Sequence, residues 1–237
     1  MKIITWNCNM AFRKKANAIL RYKPDILVVP ECEHPDKLKF DSAVKVPTDI
    51  CWFGDNQHKG LGVFSYSNYR LKLLEIHNPA FKNILPIAVT GGNIDFTLFA
   101  VWANNPGEKN GQYITQVWKA IHYYEHLLLD NKTILIGDFN SNTIWDKPKR
   151  EGNHSTVVNK LAEKKIYSTY HTFYKQKQGS EKHATLFMYR HIDKTYHIDY
   201  CFASSDFITK LKKVEIGKYN DWTPYSDHKP LIVTFKI

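Results

Sequence analysis

The chain predicts an α+β fold in which β-sheets pack against each other and helices cover the outside. Three observations carry that expectation. Apolar, strand-like runs recur from residue 2 to residue 236. Amphipathic helical stretches fall between pairs of those runs. Residues 83–102 read as a hairpin, because Gly91-Gly92-Asn93 supplies a turn signal between two apolar runs. Hairpins mixed with helical crossovers argue for mixed sheets rather than one parallel doubly wound sheet.

The elements follow in order. Met1-Lys2-Ile3-Ile4-Thr5-Trp6 is a strand that ends in Asn7. Residues 11–22 predict a helix, with Phe12, Ala16, Ile19 and Leu20 on one face and Arg13, Lys14 and Lys15 outside. Asp25-Ile26-Leu27-Val28-Val29-Pro30 is an apolar strand that ends in Glu31. Residues 60–66 and 83–89 predict strands, and 94–102 alternates Ile94, Phe96, Leu98 and Ala100 with Asp95, Thr97, Phe99 and Val101. The strongest helix spans 110–130, where Tyr113, Val117, Ile121, Tyr124 and Leu128 form a stripe that Ala120 and Leu127 widen. It leads into a strand over 132–137. A second helix over 155–165 carries Val158, Leu161 and Ala162. Strands near 184–189, 197–203 and 229–236 close the chain, while 141–153 and 172–183 predict long polar loops. With no long linker, repeat or low-complexity tract, one domain over 1–237 is expected.

Composition narrows the partner. A net charge of +10 and 43% hydrophobic residues describe a basic chain with ample core. Such a balance suits a polyanion: nucleic acid, an anionic membrane surface or a phosphorylated small molecule. The basic segments Lys147-Pro148-Lys149-Arg150, Lys210 to Lys213 and Arg13-Lys14-Lys15 read individually as solvated faces. Cys8, Cys32, Cys51 and Cys201 form no C-x-x-C pair, which argues against a zinc ribbon or redox motif and for buried, reduced thiols. A strand beginning at residue 2 leaves no room for a secretory signal, and no apolar run is long enough to span a bilayer. A cytoplasmic monomer is expected.

The chemistry lies at the ends of the strands. Ile134-Leu135-Ile136 runs straight into Gly137-Asp138-Phe139-Asn140. Folding gains nothing by ending a core strand in a carboxylate and an amide, so such ends mark sites. His197-Ile198-Asp199-Tyr200 and Ser226-Asp227-His228 are further polar clusters at strand edges, beside Asn7 and Glu31. Gathered at one rim, these groups suit phosphodiester hydrolysis, which needs a cation, a base for water and stabilisation of developing charge. Glu31, Asn7 and Asp227 offer hard oxygen donors for Mg²⁺ or Mn²⁺. Asp199 can fix the tautomer of His228 and favour its charged ring. Asp138 suits orientation or deprotonation of the attacking water, and Asn140 can donate to phosphate or fix the carboxylate.

Trp6-Asn7, Pro30-Glu31, Gly137-Asp138-Phe139-Asn140, His197-Ile198-Asp199-Tyr200 and Ser226-Asp227-His228-Lys229-Pro230 together resemble the ordered signatures of the endonuclease/exonuclease/phosphatase superfamily. The resemblance spans residues 6–230. It implies a four-layered, deoxyribonuclease I-like sandwich, with two mixed sheets between helices and the site at one edge. It also implies metal ligation chiefly by Glu31, helped by Asn7 and Asp227, and catalysis by Asp138, Asn140, His228 and Asp199.

The chain departs from that pattern in places. Asn9 stands where many repair-type members carry Asp, which weakens the case for a second metal. Pro30 stands where nuclease members often have Gln, and Glu33 lies near the place of a common Lys. Trp102-Ala103-Asn104-Asn105 replaces a Tyr-x-x-Asn, so Asn105 and Trp102 are expected to line the site and a standard abasic-site endonuclease is not. Trp145 beside Lys147 is a further candidate contact, since an aromatic next to a cation can stack a base while holding a phosphate. His154, His171, His183 and His197 read as surface or supporting groups.

The expected activity is a metal-dependent nuclease on DNA or RNA. A lipid or small-molecule phosphodiesterase or phosphatase with the same site is the alternative. A non-catalytic nucleic-acid-binding module is disfavoured, because binding alone needs no metal carboxylates.

Overall fold

The computed structural model describes residues 1–40, 44–105, 113–129 and 132–237. The first half contributes β1 (Lys2–Thr5), α1 (Ala16–Leu20), β2 (Ile26–Cys32), β3 (Asp49–Asn56), β4 (Lys59–Ser65), β5 (Arg70–Leu73), β6 (Ile84–Thr90), β7 (Phe96–Trp102) and α2 (Ile114–Tyr123). The second half contributes β8 (Thr133–Asp138), α3 (His154–Glu163), β9 (Ile166–Ser168), α4 (Thr169–Tyr174), β10 (Leu186–Phe187), β11 (Thr195–Tyr196), β12 (Asp199–Ser204), α5 (Ser205–Ile208), β13 (Leu211–Ile216), α6 (Tyr219–Trp222) and β14 (Leu231–Phe235).

Two six-stranded mixed sheets result, in the orders β13-β14-β1-β2-β4-β3 and β5-β6-β7-β8-β12-β9. Their inner faces share one core. Ile3, Val28, Val63 and Val233 of the first sheet belong to the same buried cluster as Ile87, Leu98, Ile134 and Ile136 of the second. The outer faces are buried too. Phe99, Val101 and Leu135 pack with Val117 and Ile121 of α2 and Val157 and Leu161 of α3. Ile4, Leu27 and Val29 pack with Ala16 and Ile19 of α1, Phe12 and Trp222. The layering is therefore the four-layered sandwich that the sequence predicts. Burial on both faces explains why central strands read as continuous apolar runs. Fully burying one such side chain contributes about 1.5–3 kcal/mol.

The register gathers the strand ends. Parallel β1 and β2 bring Thr5 level with Val28, so Asn7 and Glu31 emerge on the same side. Parallel β7 and β8 bring Trp102 level with Asp138, and antiparallel β12 begins with Asp199 opposite Asp138. β14 runs antiparallel to β1 with Leu231 opposite Thr5, which puts the preceding Asp227-His228 at that same rim. Gly137 is required for the approach of β7 and β8. Its φ is +149°, and a Cβ there would stand 1.8 Å from the Val101 carbonyl oxygen.

Several elements differ from expectation. The helix over 11–22 is a 3-10 turn, Phe12–Lys14, followed by the short α1, because Asn9, Met10 and Ala11 all take left-handed backbone. That loop is fastened from outside: Glu33 accepts the Phe12 amide at 2.5 Å and pairs with Arg13, while Lys15 Nζ donates to the Cys8 and Asn9 carbonyls. Of the helix over 110–130, α2 and a 3-10 turn at Glu125–Leu128 form, with Tyr113 exposed; 110–112 and 130 lie outside the described residues. In α3 the apolar face centres on Val157 and Leu161, one residue away from Val158. The strand expected at 184–189 shrinks to the two residues of β10, and α4 occupies the start of the loop expected at 172–183. Lys210–Lys213 keeps its lysines exposed, as a solvated face, while its last three residues open the edge strand β13. All four cysteines are buried with free thiols. No helix among the described residues is long and apolar enough to cross a membrane.

Candidate active site

One linked chain of side chains runs along the rim. Asn7 Nδ2 donates to Glu31 Oε1 at 3.4 Å and to Asp138 Oδ2 at 3.0 Å. Asp138 Oδ2 lies 3.9 Å from His228 Nε2, and His228 Nδ1 bonds Asp199 Oδ2 at 2.9 Å. Asp199 does not pair with Lys229, whose ammonium lies over the Phe187 ring at 4.6 Å. Thr185 Oγ1 accepts the Ile198 and Asp199 amides and fixes the start of β12.

Each carboxylate is aimed by local backbone. Glu31 occupies a bulge, where the β2–β4 register shifts between Pro30 and Cys32, and its φ is +62°. A bulge turns one side chain out of the alternation, and a left-handed non-glycine residue at such a point costs about 1 kcal/mol or more. Asp138 ends β8 with no solvent exposure, its Oδ1 accepting the Asn140 amide at 2.9 Å. Asn140, with φ +46°, donates through Nδ2 to the Ala103 carbonyl at 2.8 Å and to Asp138 Oδ2 at 3.1 Å. Both amide hydrogens of Asn140 are thus taken, so its direct effect is to orient Asp138.

Burial and charge set the protonation. Burial and then the Asp199 charge push the Asp138 carboxyl up to about 7, against the pull of His228 and the hydrogen bonds from Asn7 and Asn140. Burial opposes charge on His228, but Asp199 and Asp138 hold the ring protonated up to about 10. A charged imidazole therefore faces a carboxylate of raised basicity across a narrow gap.

Asp138, Asp199 and His228 offer ligand atoms that all lie within 4.8 Å of one another. They form a relay of one hydrogen bond, His228 to Asp199, and one ion-pair contact, His228 to Asp138, more than a chelate, because a protonated His228 has no lone pair to give a metal. The oxygen donors better suited to a hard cation surround Glu31. Its Oε2 holds the ammonium of Lys59 at 3.1 Å, and the Glu31 side chain keeps 19% exposure. Asp227 Oδ1 accepts from Asn9 Nδ2 at 3.1 Å, and Ser226 Oγ donates to the Asn7 carbonyl at 2.8 Å, so the segment 7–9 bridges Glu31 to Asp227. Asn7 turns its amide nitrogen toward the two carboxylates, while its oxygen accepts the Asn9 amide at 3.0 Å. In this orientation Asn7 is a bridge between acids.

The other expected residues divide. Trp102 lies at the register of Asp138, with Lys59 Nζ 5.1 Å above its ring. Trp145 and Lys147 line a cavity with Asn140. Asn105 is exposed beside 106–112, which lie outside the described residues. Lys59 was not legible as a site residue. Its only sequence signal is the turn-like Asp55-Asn56-Gln57-His58 before Gly60, which starts β4 beside the Glu31 bulge.

Of the two readings of the histidines behind the rim, surface or support, the second holds for His154 and His197. His154 and His197 are 1% and 3% exposed, not surface groups. They belong to a buried network in which Ser141 Oγ meets His154 Nδ1 at 2.8 Å and His171 Nε2 meets Glu181 Oε1 at 2.9 Å. Asn142 Nδ2 donates to Glu181, to the His197 carbonyl and to Tyr200 Oη.

This chain belongs to the Endonuclease/Exonuclease/phosphatase family, whose model matches residues 4–228. It is accordingly a phosphoric ester hydrolase of a divalent-metal-dependent family. Three solved structures share the fold. An AP endonuclease from Archaeoglobus fulgidus is 17% identical with a TM-score of 0.69, each chain covered in full at 100%. A 3′-5′ exonuclease from Neisseria meningitidis is 21% identical with a TM-score of 0.67, again with 100% of both chains covered. A 3′ phosphatase from Neisseria bound to product DNA hairpin is 22% identical with a TM-score of 0.67 over 100% of both chains. No curated protein matches the chain.

Proposed function

We propose that this protein is a nuclease that hydrolyses phosphodiester bonds of DNA or RNA with Mg²⁺ or Mn²⁺. One observation carries the reading: Glu31, Asn7, Asp138, His228 and Asp199, from five separate segments, form one linked chain at one rim. Binding alone would not repay so many buried polar groups.

The donor chemistry fits a hard divalent ion. Glu31 presents a partly open carboxylate that already pairs with a cation, the Lys59 ammonium, and magnesium binds through one or two carboxylates while keeping waters. Glu31, with Asp227 and the second lone pair of the Asn7 side-chain oxygen, would hold it. The ion when bound supplies charge neutralisation at the phosphate.

The chain's own residues do the rest. Asp138, with its raised basicity, takes the proton of the attacking water through Oδ2. Asn7 and Asn140 hold that carboxylate in one orientation. His228 stays charged, is oriented by Asp199 through Nδ1, and presents Nε2 to a phosphate oxygen.

The net charge of +10 supports a nucleic acid over an uncharged or cationic substrate. The four buried free thiols support a reducing, intracellular setting. A metal-supplemented panel of duplex, single-stranded and abasic DNA, RNA, 5′-tyrosyl DNA, sphingomyelin and inositol phosphates tests the assignment. Cleavage of nucleic acid, abolished by EDTA and restored by Mg²⁺ or Mn²⁺, is expected. Hydrolysis confined to sphingomyelin or inositol phosphates overturns the nuclease assignment, and EDTA-resistant turnover overturns the cofactor.

A further inference from the structure

The surface beyond Asn140 is hollowed in two adjoining steps. A cavity of about 400 Å³ is lined by Asn140, Trp145, Lys147 and Arg150. A larger one of about 1130 Å³ shares Lys147 and Arg150 with it and adds Trp118, Lys119, Tyr123 and Lys149. The shared wall makes the two a groove that leads from the catalytic rim along the loop after β8 to the exposed side of α2.

Cations and aromatic side chains line it together. Lys119, Lys147, Lys149 and Arg150 line it with two carboxylates, Glu151, which accepts Trp118 Nε1 at 3.3 Å, and Asp146, which accepts the His154 and Ser155 amides. The groove is pre-formed at its key points. Arg150 Nη2 donates to Thr115 Oγ1 at 2.8 Å, and the His122 ring packs on Trp118 at 4.1 Å. Gly152, with φ +74°, lets the loop lie against Trp118, where a Cβ would come within 2.8 Å of Trp118 Cβ. Trp145 and Tyr123 remain 40% and 48% exposed.

A surface that only tracks a duplex needs cations for phosphates. Aromatic faces beside those cations suit unpaired bases, each of which has a π-face to stack. The larger hollow exceeds what a single drug-sized ligand fills. We propose that this groove binds a single-stranded stretch of nucleic acid adjoining the scissile phosphate. Its phosphates lie on Lys119, Lys147, Lys149 and Arg150, and its bases lie against Trp118 and Trp145. The assignment rests on the nuclease reading above and names the form of its substrate.

Two variants test it: Lys119→Glu with Lys149→Glu, which alters exposed side chains only, and Trp118→Ala, which removes the stacking face. Fluorescence anisotropy in EDTA compares a labelled oligothymidylate with a blunt duplex. Wild-type protein is expected to prefer the oligothymidylate, and each variant to lose about tenfold in affinity for it. The ratio of kcat/KM on a substrate with a single-stranded extension to that on bis(4-nitrophenyl) phosphate should fall by about the same factor. Unchanged affinity and an unchanged ratio in both variants, while nucleic acid is still cleaved, overturn the groove alone. Preference of the wild type for blunt duplex, or for phosphoinositide vesicles over oligothymidylate, also overturns it. Failure of the wild type to cleave any nucleic acid overturns the nuclease reading and the groove with it.

Discussion

Two polar regions meet at the end of β8 and obey opposite rules. On one side of Asn140, Asp138, Asp199 and His228 hold charge in a buried place, and Asp199 Oδ1 has no hydrogen-bond partner. On the other side, Ser141 and Asn142 begin a network in which His154 and His197 stay neutral. Burial drives His154 and His197 down to about 4. Burial would raise Glu181, but His171, the Gly179 amide and Asn142 hold its carboxyl down at about 2. The first region keeps unspent electrostatic potential for a ligand. The second spends almost all of its hydrogen bonds internally, leaving His197 Nε2 as an exception. A charged cluster with spare capacity marks chemistry, and a satisfied one marks support.

The comparison breaks most visibly at the rim. Asp138→Asn and His228→Ala should each lower turnover by roughly 10²–10⁴-fold while the melting temperature stays near that of the wild type. Steady-state cleavage assays alongside thermal unfolding check this, and wild-type turnover by either variant removes that residue from the mechanism. Across the boundary the effect should change kind. Glu181→Ala strands His171 and Asn142 in a buried setting and should cost about 3–5 kcal/mol of stability in urea unfolding. A loss under about 1 kcal/mol would show that the network supports little.

The smallest expected effect is a slope. In the unfolded chain His154 and His197 protonate below about 6.5, whereas the folded state keeps them neutral down to about 4. Between those values the unfolded state binds more protons, so these rings make stability fall as pH drops from 6.5 to 4 and add nothing further below. Each contributes at most roughly 3 kcal/mol to that fall. Asp138 acts oppositely in the same window, since its raised carboxyl binds a proton earlier in the folded state. Metal-free denaturation across pH should therefore show a shallower acid slope in His154→Gln and His197→Gln than in the wild type. Equal slopes would mean that the rings titrate alike folded and unfolded.

The rim was legible in the sequence because its residues interrupt apolar strands, where a polar group has no folding reason to be. Asn7, Glu31, Asp138 and Asp199 all announce themselves in this way. The supporting network was legible only as one of two alternatives for its histidines, surface or support. His154 starts a helix and His197 precedes a strand, and nothing local separates a buried histidine from an exposed one. Lys59 also escaped, because its partnership with Glu31 depends on cross-strand register and not on any pattern along the chain. The two-sheet architecture followed from alternating runs and hairpin signals. The break between residues 9 and 15 did not, because it is imposed by distant Glu33 and by Lys15 folding back on the loop. Strands of two to four residues, such as β5, β9 and β10, are too short to carry a period.

The bulge at Glu31 puts folding and chemistry in conflict at one residue. Its positive φ suits glycine, so a chain selected for robustness alone would carry glycine there and gain backbone ease. This chain keeps an acid instead. If Glu31 holds the metal as proposed, thermal endurance and catalysis are competing demands at that position.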